Sequence, residues 1–163
     1  MNNELLPSTL PSHSRVWLYT SSRPLTAFEV SEIETIGNEF VNSWKAHGSA
    51  LDAAIKVLYG QFILVAVDEQ VAAVTGCSID SSVNFIKETE KRFKITLLDK
   101  LNLGFRNSSQ EVEVATMFEF QQKMDSNEIN ETTIVFNNMV ETLGELRTNW
   151  EIPLNQSWHK QLL

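Results

Sequence analysis

The spacing of apolar residues changes period several times along the chain, and each change marks an element. Arg15 to Thr20 (RVWLYT) is aromatic and β-branched, which predicts a strand. Ser21-Ser22-Arg23-Pro24 ends it. Thr26-Ala27-Phe28-Glu29 then has the form of a capping box, with Leu25 and Val30 placed as a hydrophobic staple. Val30, Ile33, Gly37, Phe40, Val41 and Trp44 recur at helical spacing. The pattern predicts a helix from about Ala27 to His47, stopped by Gly48 in a left-handed conformation.

Leu51 to Tyr59 and Gln61 to Asp68 are strand-like runs, and a tight hairpin at Gly60 is the economical link. The first run places Ile55, Val57 and Tyr59 on one face. The second, FILVAV, is apolar on both faces and suits a central strand covered from both sides. Ser78 or Asp80 caps a second predicted helix, about Ser81 to Phe93, with Val83, Ile86, Glu90 and Phe93 on its stripe. Leu101, Leu103 and Phe105 alternate with polar or small residues, and Glu111 to Val114 alternates again across the turn Arg106–Gln110. That pair reads as a hairpin with one wet face. Thr116 to Met124 reads as a short helix. Thr132 to Phe136 fits a strand or the opening of a helix, and Met139 to Trp150 fits a helix that Pro153 stops.

The order strand–helix–strand–strand–helix–strand predicts an α+β fold with a ferredoxin-like core, an antiparallel sheet carrying helices on one face. An extra hairpin strand and C-terminal helices extend it. The expected division is a mobile leader over residues 1–14, an α+β core over 15–115 and a helical extension over 116–163, all in one domain. The second sheet face must also be covered, because FILVAV is apolar on both sides. Either the C-terminal segment or a second subunit can do this, and the latter is the ground for expecting a homodimer.

Composition narrows the function classes. The chain has 163 residues, 42% hydrophobic and 21% charged, as expected of a globular domain. No apolar run approaches a bilayer span, and the first residues lack the basic start of a signal peptide. The sequence reading is therefore a soluble cytoplasmic protein without a membrane partner. Cys77 is the single cysteine, which precludes an internal disulfide and any multi-cysteine zinc site and suits a reduced compartment. The net charge is −8, which disfavours nucleic acid as a partner. The basic cluster Lys87, Lys91, Arg92 and Lys94 is interleaved with Glu88 and Glu90. Glu88–Arg92 and Glu90–Lys94 have the spacing and order of helix-stabilising pairs, which predicts a solvated helix face. No His-x-x-x-His or His-Glu-x-x-His motif occurs, so neither a metal nor a cofactor is expected.

Phe62 to Glu69 (FILVAVDE) has the form of a strand that presents Asp-Glu to a nucleotide's magnesium. Its necessary companion, a glycine-rich phosphate loop ending in Gly-Lys, is missing, since the chain contains no Gly-Lys pair. ATP hydrolysis is rejected on that ground. Ser14-Arg15-Val16-Trp17, Gly76-Cys77-Ser78-Ile79-Asp80, Ile134-Val135-Phe136-Asn137-Asn138, Asn149-Trp150-Glu151 and Ser157-Trp158-His159 resemble a family of small uncharacterised bacterial proteins. Some members carry the automatic label "ABC transporter ATPase". The resemblance runs from Ser14 to His159 and implies membership without assigning an activity or catalytic residues.

One candidate constellation remains. Cys77 stands just before the second predicted helix, and helix N-termini favour anions and thiolates. In the expected topology the first helix ends at His47, the third strand ends at Asp68, and the fourth strand descends to Arg106. All would then share one end of the sheet with Cys77, Ser78 and Asp80. Cys77 with His47 as base and Asp68 or Asp80 orienting it would make a thiol-dependent enzyme. Ser78, Asp80 and Arg106 would form a ligand-binding set. The plainer expectation is a helix dipole steadied by His47, polar caps at Ser78 and Asp80, and four tryptophans that anchor packing. The sequence therefore favours a non-catalytic protein that binds a small molecule or a protein, as a monomer or a homodimer.

Overall fold

Every residue of the strand Phe62–Asp68 is buried, and the rest of the molecule is arranged to cover it. The computed structural model describes residues 6, 7, 9–70 and 72–163. It is an α+β fold with antiparallel sheets. The elements in chain order are β1 (Arg15–Thr20), α1 (Ala27–Ser43), β2 (Lys45–Ala46), β3 (Ser49–Ala50), β4 (Asp52–Leu58), β5 (Phe62–Asp68), α2 (Gly76–Phe93), β6 (Asn102–Arg106), β7 (Val112–Thr116), α3 (Met117–Asp125), β8 (Ile134–Phe136), α4 (Leu143–Asn149) and β9 (Glu151–Pro153). Two 3₁₀ turns, Leu154–Gln156 and Trp158–Leu162, end the chain.

The first sheet has the order β1-β5-β4, all antiparallel. These are the first three strands of the expected ferredoxin-like order. The fourth expected strand, β6, lies elsewhere: it pairs with β7 and β8 in a second sheet of order β7-β6-β8-β9. The helices α1 and α2 cover one face of the first sheet through Ile33, Trp44 and Ile86, packed on Ile55, Val57, Ile63, Val65 and Val67. The other face, with Leu58, Phe62, Leu64 and Ala66, is covered by Phe136, Val140, Leu143, Leu146 and Trp150. The C-terminal part of the same chain thus supplies the missing layer, and no second subunit is needed for it. A third cluster joins Leu103, Phe105, Ala115 and Val135 of the second sheet to Phe120 of α3, with Ile129 and Leu154.

Several boundaries move from their expected places for local reasons. The Thr26–Glu29 capping box forms as predicted. α1 nevertheless ends at Ser43, because Trp44 turns extended and donates its indole N–H to the Ser78 carbonyl at 2.9 Å. His47 and Gly48 then form the turn of the small β2–β3 hairpin with φ of 51° and 77°. Left-handed backbone at both central positions is what a two-residue hairpin turn demands. α2 starts five residues earlier than expected, because Thr75 and Ser78 form a reciprocal capping box. Ser78 is therefore the third helical residue rather than the cap, and Asp80 is not a cap either. Gly60 and Tyr59 carry the β4–β5 turn, both left-handed.

The extension beyond Thr116 is not simply helical: residues 134–136 are strand, and α4 begins only at Leu143, capped by Thr142. Nor is β6 wet on one face. Leu103, Gly104 and Phe105 are all buried, because the first sheet covers the side opposite α3. The expected leader is partly core, with Leu6 and Leu10 each 4% exposed against the second face; residues 1–5 and 8 lie outside the described residues. The expected Glu88–Arg92 and Glu90–Lys94 pairs are replaced. Arg92 meets Glu32 of α1 at 2.9 Å, and Glu90 accepts the N–H groups of Leu97 and Leu98 at 2.7 and 3.0 Å. Two backbone N–H groups in a tight loop hold that carboxylate more firmly than an exposed lysine would. Among the described residues no helix is long and apolar enough to cross a membrane.

Gly104 of β6 lies tightly against Phe62 of the first sheet. A Cβ there would stand 2.8 Å from Phe62 Cζ and 3.0 Å from Phe136 Cδ2. Both rings are buried and tilted against each other at 4.7 Å, so neither can retreat. Gly104→Ala is expected to destabilise the fold by about 1–3 kcal/mol through overpacking. Urea unfolding of the variant against the parent measures it, and an unchanged midpoint would disprove the tight contact.

Candidate functional site

The end of the first sheet where β5 stops gathers most of the sequence candidates. Asp68 accepts the Gln70 N–H at 3.0 Å and lies 3.0 Å from His13 Nε2. The Gln70 N–H, followed by the His13 contact, holds its carboxyl below the usual range. Glu69 beside it accepts the Val74 N–H at 3.3 Å and lies 3.7 Å from Arg15. Cys77 is exposed in the first turn of α2. Ser78 is buried, with its hydroxyl donating to the Thr75 carbonyl at 2.9 Å and accepting the Thr75 N–H at 2.6 Å. Asp80 and His47 are exposed. The Trp44–Ser78 bond ties the end of α1 to the start of α2, so His47, Asp68 and Cys77 do belong to one end.

They do not form a hydrogen-bonded triad. The histidine on Asp68 is His13, from the expected leader, whereas His47 projects at the tip of the β2–β3 turn. Sequence reasoning placed His13 in a tail because nothing local relates it to a carboxylate 55 positions away.

Arg106 is at the opposite end. Because β6 left the first sheet, its last residue meets the β4–β5 turn rather than Asp68. β5 separates the two ends by roughly 20 Å at the rise of a strand. There Arg106 Nε donates to Glu151 Oε1 at 2.7 Å, its Nη1 donates to the Gln110 carbonyl at 2.7 Å, and its guanidinium lies over the rings of Tyr59 and Phe136. Tyr59 donates to the other oxygen of Glu151 at 2.6 Å. Burial, reinforced by that carboxylate, pushes the Tyr59 phenol up to about 12. The trio bridges the two sheets, and all of its strong polar groups are satisfied within the chain. Arg106, expected to bind a ligand, instead holds Glu151.

His159 lies in the expected helical extension, where nothing in the sequence marks it. It is 1% exposed, stacks on Trp158 at 4.0 Å and shares a 2.7 Å hydrogen bond through Nδ1 with the Ser157 hydroxyl. Its buried Nε2 has no hydrogen-bond partner among the described residues. Burial pushes its pKa down to about 4.

Two shallow concavities lie among the described residues. One, of about 550 Å³, lies between β7 and α3 and is lined by Glu113, Glu119, Glu128 and Lys123 among others. Its polar groups are already engaged: Lys123 holds Glu113 and Glu128 at 3.3 and 2.7 Å, and Glu119 caps α3 through the Thr116 N–H. The other, of about 450 Å³, lies between α1 and α2. Ile36, Phe40 and Phe85 give it an apolar floor, with Glu39, Glu88 and Arg92 on the rim. Phe40 and Phe85 stack at 4.8 Å and remain half-buried. The most exposed large apolar residues, Phe28, Phe118 and Met139, line neither concavity. Among the described residues no group of three or more His, Cys, Asp or Glu is arranged to hold a metal. Comparison with family models, curated proteins and solved structures gives no match.

Removing the carboxylate that Arg106 and Tyr59 share (Glu151→Ala) is expected to cost about 2–3 kcal/mol, because Arg106 is left largely buried and unpaired; Tyr59→Phe is expected to cost about 1 kcal/mol. Urea unfolding at neutral pH checks both. For His159, folding lowers the pKa from 6.5 to about 4, so the unfolded chain takes the proton first. The stability contributed by neutral burial is whole above 6.5 and is lost as pH falls toward about 4. Unfolding free energies measured across that window should fall for the parent and fall less for His159→Gln.

Proposed function

We propose that the chain is a non-catalytic binding protein and that the groove between α1 and α2 takes an apolar or amphipathic ligand. The stacked and half-exposed Phe40–Phe85 pair on the groove floor carries this reading. Binding sites are concave, mainly apolar and edged by a few polar groups, and aromatic anchors in such a setting dominate recognition. The larger concavity offers less, because its charged groups neutralise each other or cap a helix. Location in the cytoplasm, suited by an exposed lone thiol, and membership of the bacterial family that the sequence resembles belong to the same proposal.

A second reading is favoured by one observation: Cys77 is exposed in the first turn of an 18-residue helix. A thiol-dependent enzyme would place its nucleophile there.

Titration with small aromatic fragments, followed by two-dimensional NMR, separates the two. The binding reading expects shifts at Ile36, Phe40, Phe85 and Thr89, abolished in Phe85→Ala, while Cys77→Ser leaves them unchanged. Fragments that gather around Cys77 instead, or that shift nothing at the groove, would overturn it. Iodoacetamide tests the second reading. Modification of Cys77 at neutral pH about tenfold faster than glutathione would support an activated thiol, and equal rates would remove it.

A further inference from the structure

The groove between α1 and α2 has a direction as well as a floor. Glu32 meets Arg92, Phe40 stacks on Phe85, and Trp44 is bonded to Ser78, so the two helices run antiparallel. Each lines the groove at i, i+3, i+4 and i+7: positions 36, 39, 40 and 43 on α1, and 85, 88, 89 and 92 on α2. A step of seven residues advances a helix by about 10 Å. The groove is therefore a trough two turns long with a helix along either side.

The polar groups in this trough are unequally occupied. Ser43 donates its hydroxyl to the Glu39 and Phe40 carbonyls at 3.4 and 3.1 Å, and Thr89 donates to the Phe85 carbonyl at 2.8 Å. Arg92 is held by Glu32 at 2.9 Å. Glu39 and Glu88 are exposed, and neither has an ion pair or a side-chain hydrogen bond among the described residues. One belongs to α1 and the other to α2, so each rim offers a free carboxylate beside the Phe40–Phe85 floor. Lys87 and Lys91 of α2 do not line the trough. Its complement is an apolar stripe with a positive charge on either flank.

Phe28 sets the length of that complement. It is 72% exposed and belongs to no core cluster. It stands eleven positions before Glu39, three turns of helix, and so on the same line of α1. Exposed aromatic surface thus recurs about 16 Å along the helix from the Glu39 rim. A small molecule seated on Phe40 and Phe85 leaves Phe28 bare. A helix laid along the trough covers all three rings, and grooves of this kind seat an amphipathic helix by its apolar face.

We infer that the trough receives a basic amphipathic helix of a partner protein, about four turns long. Its apolar stripe lies on Phe28, Phe40 and Phe85, and a lysine or arginine on each flank meets Glu39 and Glu88. The inference rests on the groove being a binding site and adds the kind of partner that it fits.

Two-dimensional NMR of the full chain tests this at about 0.15 M salt, where distant charges are screened. The probes are capped peptides of about 14 residues: a Leu/Lys helix with leucines at i, i+3, i+4 and i+7, the same peptide with Glu for Lys, and the Leu/Lys composition in shuffled order. The Leu/Lys helix should shift Phe28, Ile36, Phe40 and Phe85, and the other two should bind at least about tenfold more weakly. Phe28→Ala, and Glu39→Gln combined with Glu88→Gln, should each weaken it about tenfold. Glu131→Gln combined with Glu141→Gln makes the same charge change away from the trough and should leave binding unchanged. Circular dichroism establishes that each variant is folded. Equal binding of the peptides, shifts outside the trough, or indifference to Phe28 and the two glutamates would overturn the inference. Benzylammonium separates it from the groove reading. If that cation shifts Phe40 and Phe85 while the Leu/Lys helix does not, the groove takes a small cation and the helix is wrong. If neither shifts them, the groove reading fails as well.

Discussion

The structure depends on the double burial of β5. A strand that is apolar on both faces is stable only between two covering layers, and this one has neighbours on both edges as well. The helices α1 and α2 supply the first layer. The second layer requires the chain to return after nearly seventy residues and place Phe136, Val140, Leu143, Leu146 and Trp150 on Leu58, Phe62 and Leu64. This return explains why β6 abandons the ferredoxin-like position. Val16 and Ser14 of β1 are hydrogen-bonded to Glu141 and Leu143, so the edge that β6 would have joined is taken by the covering segment.

The same return sets the polar architecture. Once β6 and β9 lie in a second sheet, their ends reach the β4–β5 turn, and Arg106, Glu151 and Tyr59 close the seam between the sheets. A charged pair so little exposed would be costly if loose. It is held by a carbonyl, a phenol and two aromatic faces as well as by its own attraction. The seam thus turns a candidate ligand-binding arginine into a structural one, and it separates Arg106 from Cys77 by the length of a strand.

What could be read in the sequence was what local chemistry decides. The Thr26–Glu29 capping box, the buried character of FILVAV and the hairpin at Gly60 rest on residues close together in the chain. The α+β class follows from their order. Glu90 shows where such reading stops: its spacing to Lys94 fits a helix pair, yet two loop N–H groups at Leu97 and Leu98 bind it better. Gly48 shows a correct conformational signal given to the wrong element, since a left-handed glycine serves a helix stop and a hairpin turn equally. His13 on Asp68 and Glu151 on Arg106 were invisible for another reason. Their partners are 55 and 45 positions away, and no periodicity relates residues across such spans.

These assignments also weigh on function. Several charged groups on the described surface are engaged with each other: Arg23 with Glu29, Arg92 with Glu32, Arg106 with Glu151, and Lys123 with Glu113 and Glu128. The net charge of −8 leaves the surface acidic on balance. The Phe40–Phe85 pair packs on the core cluster that holds Ile33 and Ile86 and stays half-covered in the concavity between α1 and α2. The pair therefore serves the packing of α1 on α2 with one side and faces the concavity with the other.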